Sequence, residues 1–193
     1  MRIQQFFEAI EDYNFSRAAE LAVSEKIVGG WEAWFQVELA MHLVEKFQGN
    51  VSISREMSYP DKSARCDFYI EYGGGRDPTY VELKCQLPGR GDAINNALFR
   101  FEADITKQKG YPEIAGFCFM ASCGPWNDVN IATFETIFQT VDVASAYVLG
   151  WSNGEYEVAQ LKGTGDLAYF QNPYFFLTGI SAWPDEPDDS NSN

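Results

Sequence analysis

Three charged side chains have the types and spacing that chemistry on a phosphate ester requires. Asp67 is followed, after fourteen intervening residues, by Glu82, and Lys84 lies two positions further on. In an extended chain side chains alternate between faces, so Tyr80, Glu82, Lys84 and Gln86 share one face while Val81, Leu83 and Cys85 share the other. Asp67 is likewise out of phase with Cys66, Phe68 and Ile70. If the two arms pair as a hairpin, Asp67, Glu82 and Lys84 meet on one face. Carboxylates brought close together repel unless a cation lies between them. A hard divalent ion such as Mg2+ takes one or two carboxylates and keeps waters in the rest of its shell. Such an ion acidifies a bound water and offsets charge on a phosphate, and Lys84 would stabilise the same developing charge. The alternative is an ion pair of Glu82 and Lys84 on a solvated sheet face, with Asp67 beside it.

The elements that must position these residues are legible in the periodicity. RCDFYIEY and TYVELKCQ, at 65–72 and 79–86, read as strands joined by a turn around Gly73-Gly74-Gly75, and VSISREMSYP reads as a strand closed by Pro60. Upstream, 31–47 holds neither proline nor glycine and is apolar around most of a helix, with Glu38, His42 and Glu45 on a narrow polar stripe, so a largely enclosed helix is predicted. Residues 3–28 suggest one or two short helices ending at Gly29-Gly30. Downstream, Ile94, Leu98, Phe101 and Ile105 mark an amphipathic helix with Asp92 as its N-cap and Arg100, Asp104 and Lys107 along another face. A buried strand at 113–122, a helix at 127–141 and a hairpin of two strands around Ser152-Asn153-Gly154 follow. An aromatic run, YFQNPYFFLTGI, precedes the tail. The expected fold is α/β (α+β), a central mixed sheet flanked by helices in the order αβββαβ, with N-terminal helices and C-terminal strand additions.

At 193 residues, 46% of them apolar, the chain can bury one sizeable core, and a single domain over 1–183 is expected. The acidic tail 184–193, PDEPDDSNSN within its surroundings, is too polar to pack and is predicted to be disordered. The N-terminus lacks a secretory pattern and no run is apolar enough to span a membrane, so a cytoplasmic protein with no membrane partner is expected. Cys66, Cys85, Cys118 and Cys123 lie in or beside apolar runs and are predicted to be buried free thiols, since a zinc site would need closely spaced pairs and His42 is the one histidine. The net charge is −14, unevenly spread: Arg55 to Lys109 holds nine basic and nine acidic residues, and the whole excess lies outside. That balance disfavours simple attraction to nucleic acid and favours a basic partner or solubility.

Asp67 followed by Glu82-Leu83-Lys84, on the second and third strands after a helix with an internal glutamate, resembles the PD-(D/E)XK nuclease superfamily, which includes many restriction enzymes. The resemblance covers about residues 30–122. It implies Asp67 and Glu82 as Mg2+ ligands, Lys84 as the catalytic lysine, and Glu38 as an additional metal ligand, with Glu32 and Glu45 competing for that role. Cys66 stands where the proline of the motif would be. Gln86 matches a position that is polar in some branches. His42 is expected to pack or face solvent rather than act as a base. Arg90, Arg100, Lys107 and Lys109 follow the motif and could contact phosphates or form the ordinary polar face of a helix.

Two functions follow. The first is Mg2+-dependent phosphodiester hydrolysis of DNA or RNA, with nucleic acid as partner. The second is a non-catalytic protein on the same fold, resembling acidic immunity proteins that neutralise a basic bacterial nuclease toxin.

Overall fold

The computed structural model describes residues 3–22, 31–86, 93–123, 126–141, 145–152, 155–161 and 175–181. Two short helices, α1 (Ile3–Ile10) and α2 (Phe15–Ala22), precede α3 (Trp31–Lys46). Strands β1 (Val51–Ser58), β2 (Arg65–Tyr72) and β3 (Thr79–Cys85) lead to α4 (Ala93–Lys109) and β4 (Ala115–Cys123). The chain continues through α5 (Asp128–Thr140), β5 (Ser145–Ser152), β6 (Glu155–Leu161) and β7 (Phe175–Ser181). The expected N-cap Asp92, the stop at Gly29-Gly30, Arg90, the turn residues 153–154 and the tail 184–193 lie outside the described residues.

Among the described residues seven strands form one open mixed sheet in the order β1-β2-β3-β4-β7-β5-β6. Only β3 and β4 run parallel, because α4 carries the chain back between them, and every other neighbouring pair is antiparallel. The alternation read from the sequence sets the two faces. Phe68, Ile70, Val81, Leu83 and Cys85 join Phe6, Phe7, Phe35 and Leu39 in one core beneath α1–α3. Cys118, Met120, Val148 and Ile180 join Leu98, Phe101, Ile105 and Phe134 in a second core beneath α4 and α5. β4 is buried on both faces, as its unbroken apolar run requires.

Two sequence expectations change. β7 lies inside the aromatic run before the tail, where no strand was expected, and it enters the sheet between β4 and β5. Its Gly179 allows this. A β-carbon there would lie 2.5 Å from the Phe119 ring and 2.6 Å from Phe7, so only glycine admits both rings. The second change concerns α3. Its buried stripe is Trp31, Phe35, Leu39 and Leu43, but Val37, Met41 and Val44 are on the outer side, with Met41 66% exposed. The helix is enclosed on one face, because one face is all that the sheet covers.

No described helix is long and apolar enough to cross a membrane. The four cysteines are free, three of them buried and Cys123 half-buried. Burial pushes the Cys66 thiol up to about 12 and the Cys123 thiol up to about 11, which leaves them poor nucleophiles.

Candidate active site

β2 and β3 pair through Phe68↔Val81, Tyr69↔Tyr80 and Ile70↔Thr79, and the ladder ends there. Just past its end the Asp67 side chain replaces the ladder, its Oδ2 accepting a hydrogen bond from the Leu83 backbone N–H at 2.7 Å. On the other side of β2 the pairing with β1 runs from Val51↔Tyr72 to Ser58↔Arg65 but skips Glu56, which adopts φ 57° opposite Asp67. A non-glycine residue in the left-handed region costs about 1–2 kcal/mol. The backbone is therefore distorted at the row that carries Asp67.

From Asp67 a chain of alternating charges crosses the face beneath α4. Lys84 Nζ lies 3.7 Å from Asp67 Oδ2 and 3.1 Å from Asp104 Oδ2. Lys107 Nζ lies 3.3 Å from Asp104 Oδ1 and 2.7 Å from Glu82 Oε1. The Tyr59 hydroxyl also donates to Glu82 Oε1, at 2.7 Å. Asp104 and Lys107 come from α4, one turn apart, and Tyr59 follows β1. Thus Glu82 and Lys84 do share a face, as the alternation requires. The solvated Glu82–Lys84 pair is not what forms. Glu82 is only 2% exposed and is met by Lys107 and Tyr59, while Lys84 is met by Asp67 and Asp104.

Burial pushes the Glu82 carboxyl up to about 7, with the Lys107 bond opposing it and the Asp104 charge reinforcing it. Burial alone would pull the Lys84 ammonium down, but Asp104, Asp67 and Glu32 outweigh that and hold its pKa above the usual lysine value. Lys107 is raised in the same way, burial being overcome by Glu82 and Asp104. Both lysines are therefore charged at neutral pH.

The helix glutamate that reaches this end of β3 is Glu32. Its Oε2 accepts a hydrogen bond from the Cys85 N–H at 2.8 Å, and burial holds its pKa above the ordinary carboxylate range. Glu38 instead pairs with Arg17 at 3.6 Å, toward α2. The two are six residues apart, which at about 100° per residue puts them about 120° apart around the axis. Glu45 is exposed. His42 is half-buried, its Nε2 3.0 Å from the Ala9 carbonyl and 3.2 Å from Asp12, away from the site. Gln86 braces β3 to β4, its Oε1 accepting from the Cys123 N–H while its own N–H donates to Ala121. Two basic residues of α4 bond backbone carbonyls: Arg100, itself exposed, donates to that of Cys85, and the half-buried Lys109 to that of Val141.

The donors gathered here are hard oxygens, the class that suits Mg2+. Asp104 Oδ2 is buried and accepts no hydrogen bond despite its ion pair with Lys84. Asp67 and Glu82 each offer carboxylate oxygens of that class. Among the described residues no three acidic, histidine or cysteine side chains already converge on one point, since the two lysines lie between the carboxylates. Asp104 and Lys107 were visible beforehand only as a polar helix face; their i, i+3 spacing was the available signal.

Comparison with protein-family models, curated proteins and solved structures returns no match for this chain.

Proposed function

We propose that the chain is a PD-(D/E)XK-type, metal-dependent phosphodiesterase acting on nucleic acid. The observation that supports it is the opening between β2 and β3, where Asp67, Glu82 and Lys84 lie beyond the end of the ladder with Glu32 at the same end of β3. In this reading Asp67 and Glu82 bind Mg2+, which when present acidifies a water and offsets phosphate charge. Lys84 stays charged through its three acidic neighbours and stabilises charge that develops on the phosphate. Asp67 positions Lys84 and tethers it to the backbone of Leu83. Lys107, 2.7 Å from Glu82 Oε1, would hold that carboxylate in place beside the ion.

The test is cleavage of single- and double-stranded DNA and RNA by purified protein with Mg2+ or Mn2+. Lys84→Ala is expected to lower cleavage by at least about a hundredfold, the scale of losing one charge-stabilising group, while circular dichroism shows the fold retained. No cleavage by the unaltered protein on any of these substrates would overturn the proposal.

A second reading is supported by two observations: Glu82 is already held by Lys107 and Tyr59, and the chain carries −14 with the acidic excess outside 55–109. A non-catalytic protein of this kind would bind a basic partner, such as a nuclease toxin, through its acidic surface. Its association would slow with added salt, and Lys84→Ala would leave neutralisation intact.

A further inference from the structure

A nucleic-acid ligand must bind this chain in spite of its charge. Counterion release supplies most non-specific affinity for DNA and needs an excess of Lys and Arg at the contact. Here Lys84, Arg100, Lys107 and Lys109 are engaged with the protein itself. Affinity has to come from another term, and the sheet offers one.

α4 packs on β3 and β4. On the same face, further along β2 and β3, lies the row Ser54–Tyr69–Tyr80, set by direct cross-strand pairing. All three residues are only half-buried. The Tyr69 and Tyr80 rings lie 5.1 Å apart at 75°, forming an aromatic corner, and neither hydroxyl has a hydrogen-bond partner among the described residues. The corner is braced from behind. Tyr59, 1% exposed, stacks on Tyr80 at 5.2 Å and on Tyr111 at 4.5 Å, and Tyr111 is pinned by Asp61 and Ser63. Rings held this way lose little freedom on binding.

The next row along the two strands is Asp67 and Glu82. Two residues of strand span about 6–7 Å, so a base lying on Tyr69 or Tyr80 brings its own sugar-phosphate toward the carboxylates and Lys84. Aromatic stacking is open to any base with a free face. Inside a duplex both faces of each base are already covered, and the duplex also brings the higher charge density that an acidic protein repels. The charges around the corner are mixed, Lys62 and Arg65 against Glu56, Asp61 and Glu71, all exposed, so they give no net pull toward a dense phosphate backbone.

We propose that Tyr69 and Tyr80 form a stacking platform for unpaired bases, which makes single-stranded nucleic acid the substrate class of this site. The use made of the platform rests on the phosphodiesterase reading, but its binding does not and is measured without metal. The experiment is fluorescence anisotropy of a short labelled single strand, as DNA and as RNA, and of a blunt duplex of the same sequence. The unaltered full chain is compared with Tyr69→Ala, Tyr80→Ala and Tyr69→Phe. Single strand is expected to bind at least about tenfold tighter than duplex, each alanine variant to weaken it about tenfold, and Tyr69→Phe to keep it, as loss of one stacked base would give. Equal or tighter binding of duplex, alanine variants that bind single strand unchanged, or no binding of either nucleic acid at micromolar protein would overturn the platform. If Tyr80→Ala disturbs the Tyr59 stack and fails to fold, Tyr69→Ala decides, together with quenching of tyrosine fluorescence by the oligonucleotide. Metal-dependent cleavage with no preference for single strands would sink the platform alone. Tyrosine-dependent binding without cleavage in any metal would sink the hydrolysis alone.

Discussion

The two sides of the sheet at β3 are filled in different ways. On the α1–α3 side, Phe119 stacks on Phe6 at 4.3 Å and meets Phe7 at 5.6 Å, over Gly179. On the α4 side, beside Glu82, the space is taken by Asp104, Lys107, Lys84 and the Tyr59 ring. Rings and methyls gain from leaving water in proportion to area. Buried ion pairs repay little of their desolvation and are often matched by apolar replacements. The apolar packing on both sides, beneath α1–α3 and beneath α4 and α5, thus explains why the chain folds. The ionic cluster around Glu82 needs a reason other than stability, and a site on phosphate chemistry would supply one.

This contrast can be broken most directly at Gly179. Gly179→Val forces a branched side chain into the space of two phenyl rings, and a loss of at least about 1–3 kcal/mol is expected, read as a lower urea midpoint. A variant as stable as the parent would mean that the apolar side is not tightly packed there.

Glu82→Gln sharpens the contrast on the ionic side through pH. The folded-state pKa of Glu82, about 7, lies above its ordinary value of 4.5. Between those pH values the folded chain holds more protons than the unfolded one, so this residue's contribution to stability falls as pH rises from about 4.5 to about 7. The amide does not titrate. The difference in urea midpoint between pH 5 and pH 7.5 should therefore shift in Glu82→Gln relative to the parent, with the variant losing less stability on the way up. An unchanged difference would show that Glu82 does not carry the raised pKa.

The smallest effect is expected at Glu56, at φ 57° opposite Asp67. Glycine accepts that conformation but loses more freedom on folding, so Glu56→Gly should stabilise by no more than about 1 kcal/mol. Glu56→Val should destabilise, because a β-branched residue fits the left-handed region worst. Thermal midpoints moving in opposite directions for the two variants would check the strain. A valine variant more stable than the glycine one would remove it.

Much of the frame was legible in the residues. Period-two alternation placed Val81 and Leu83 on one face and Glu82 and Lys84 on the other, and the i, i+4, i+7, i+11 pattern from Ile94 to Ile105 gave α4 its core side. Glycines at 73–75 marked the turn, where Gly74 and Gly75 have φ 89° and 75°. What failed was everything that depends on which element lies opposite. Glu32 and Glu38 both sit on α3, and nothing local says which turns toward β3. The strand around Gly179 was hidden because a glycine among aromatics has no strand signature until Phe7 and Phe119 arrive from elsewhere in the chain.

The sequence by itself determined the order of elements from α3 to β6, the two faces of β2 and β3 and the carboxylate-lysine set they carry, because backbone periodicity and covalent spacing are local properties. The tertiary structure alone decided the partners: that Lys107 meets Glu82, that Asp104 bridges the two lysines, that Glu32 rather than Glu38 reaches β3, and that Tyr59 braces Tyr80. Those depend on the approach of α3 and α4 to the sheet, which is fixed by burial of apolar surface spread over the whole chain. Charges then pair with whatever the packing brings within a few ångströms, since a charge buried alone is too costly to keep.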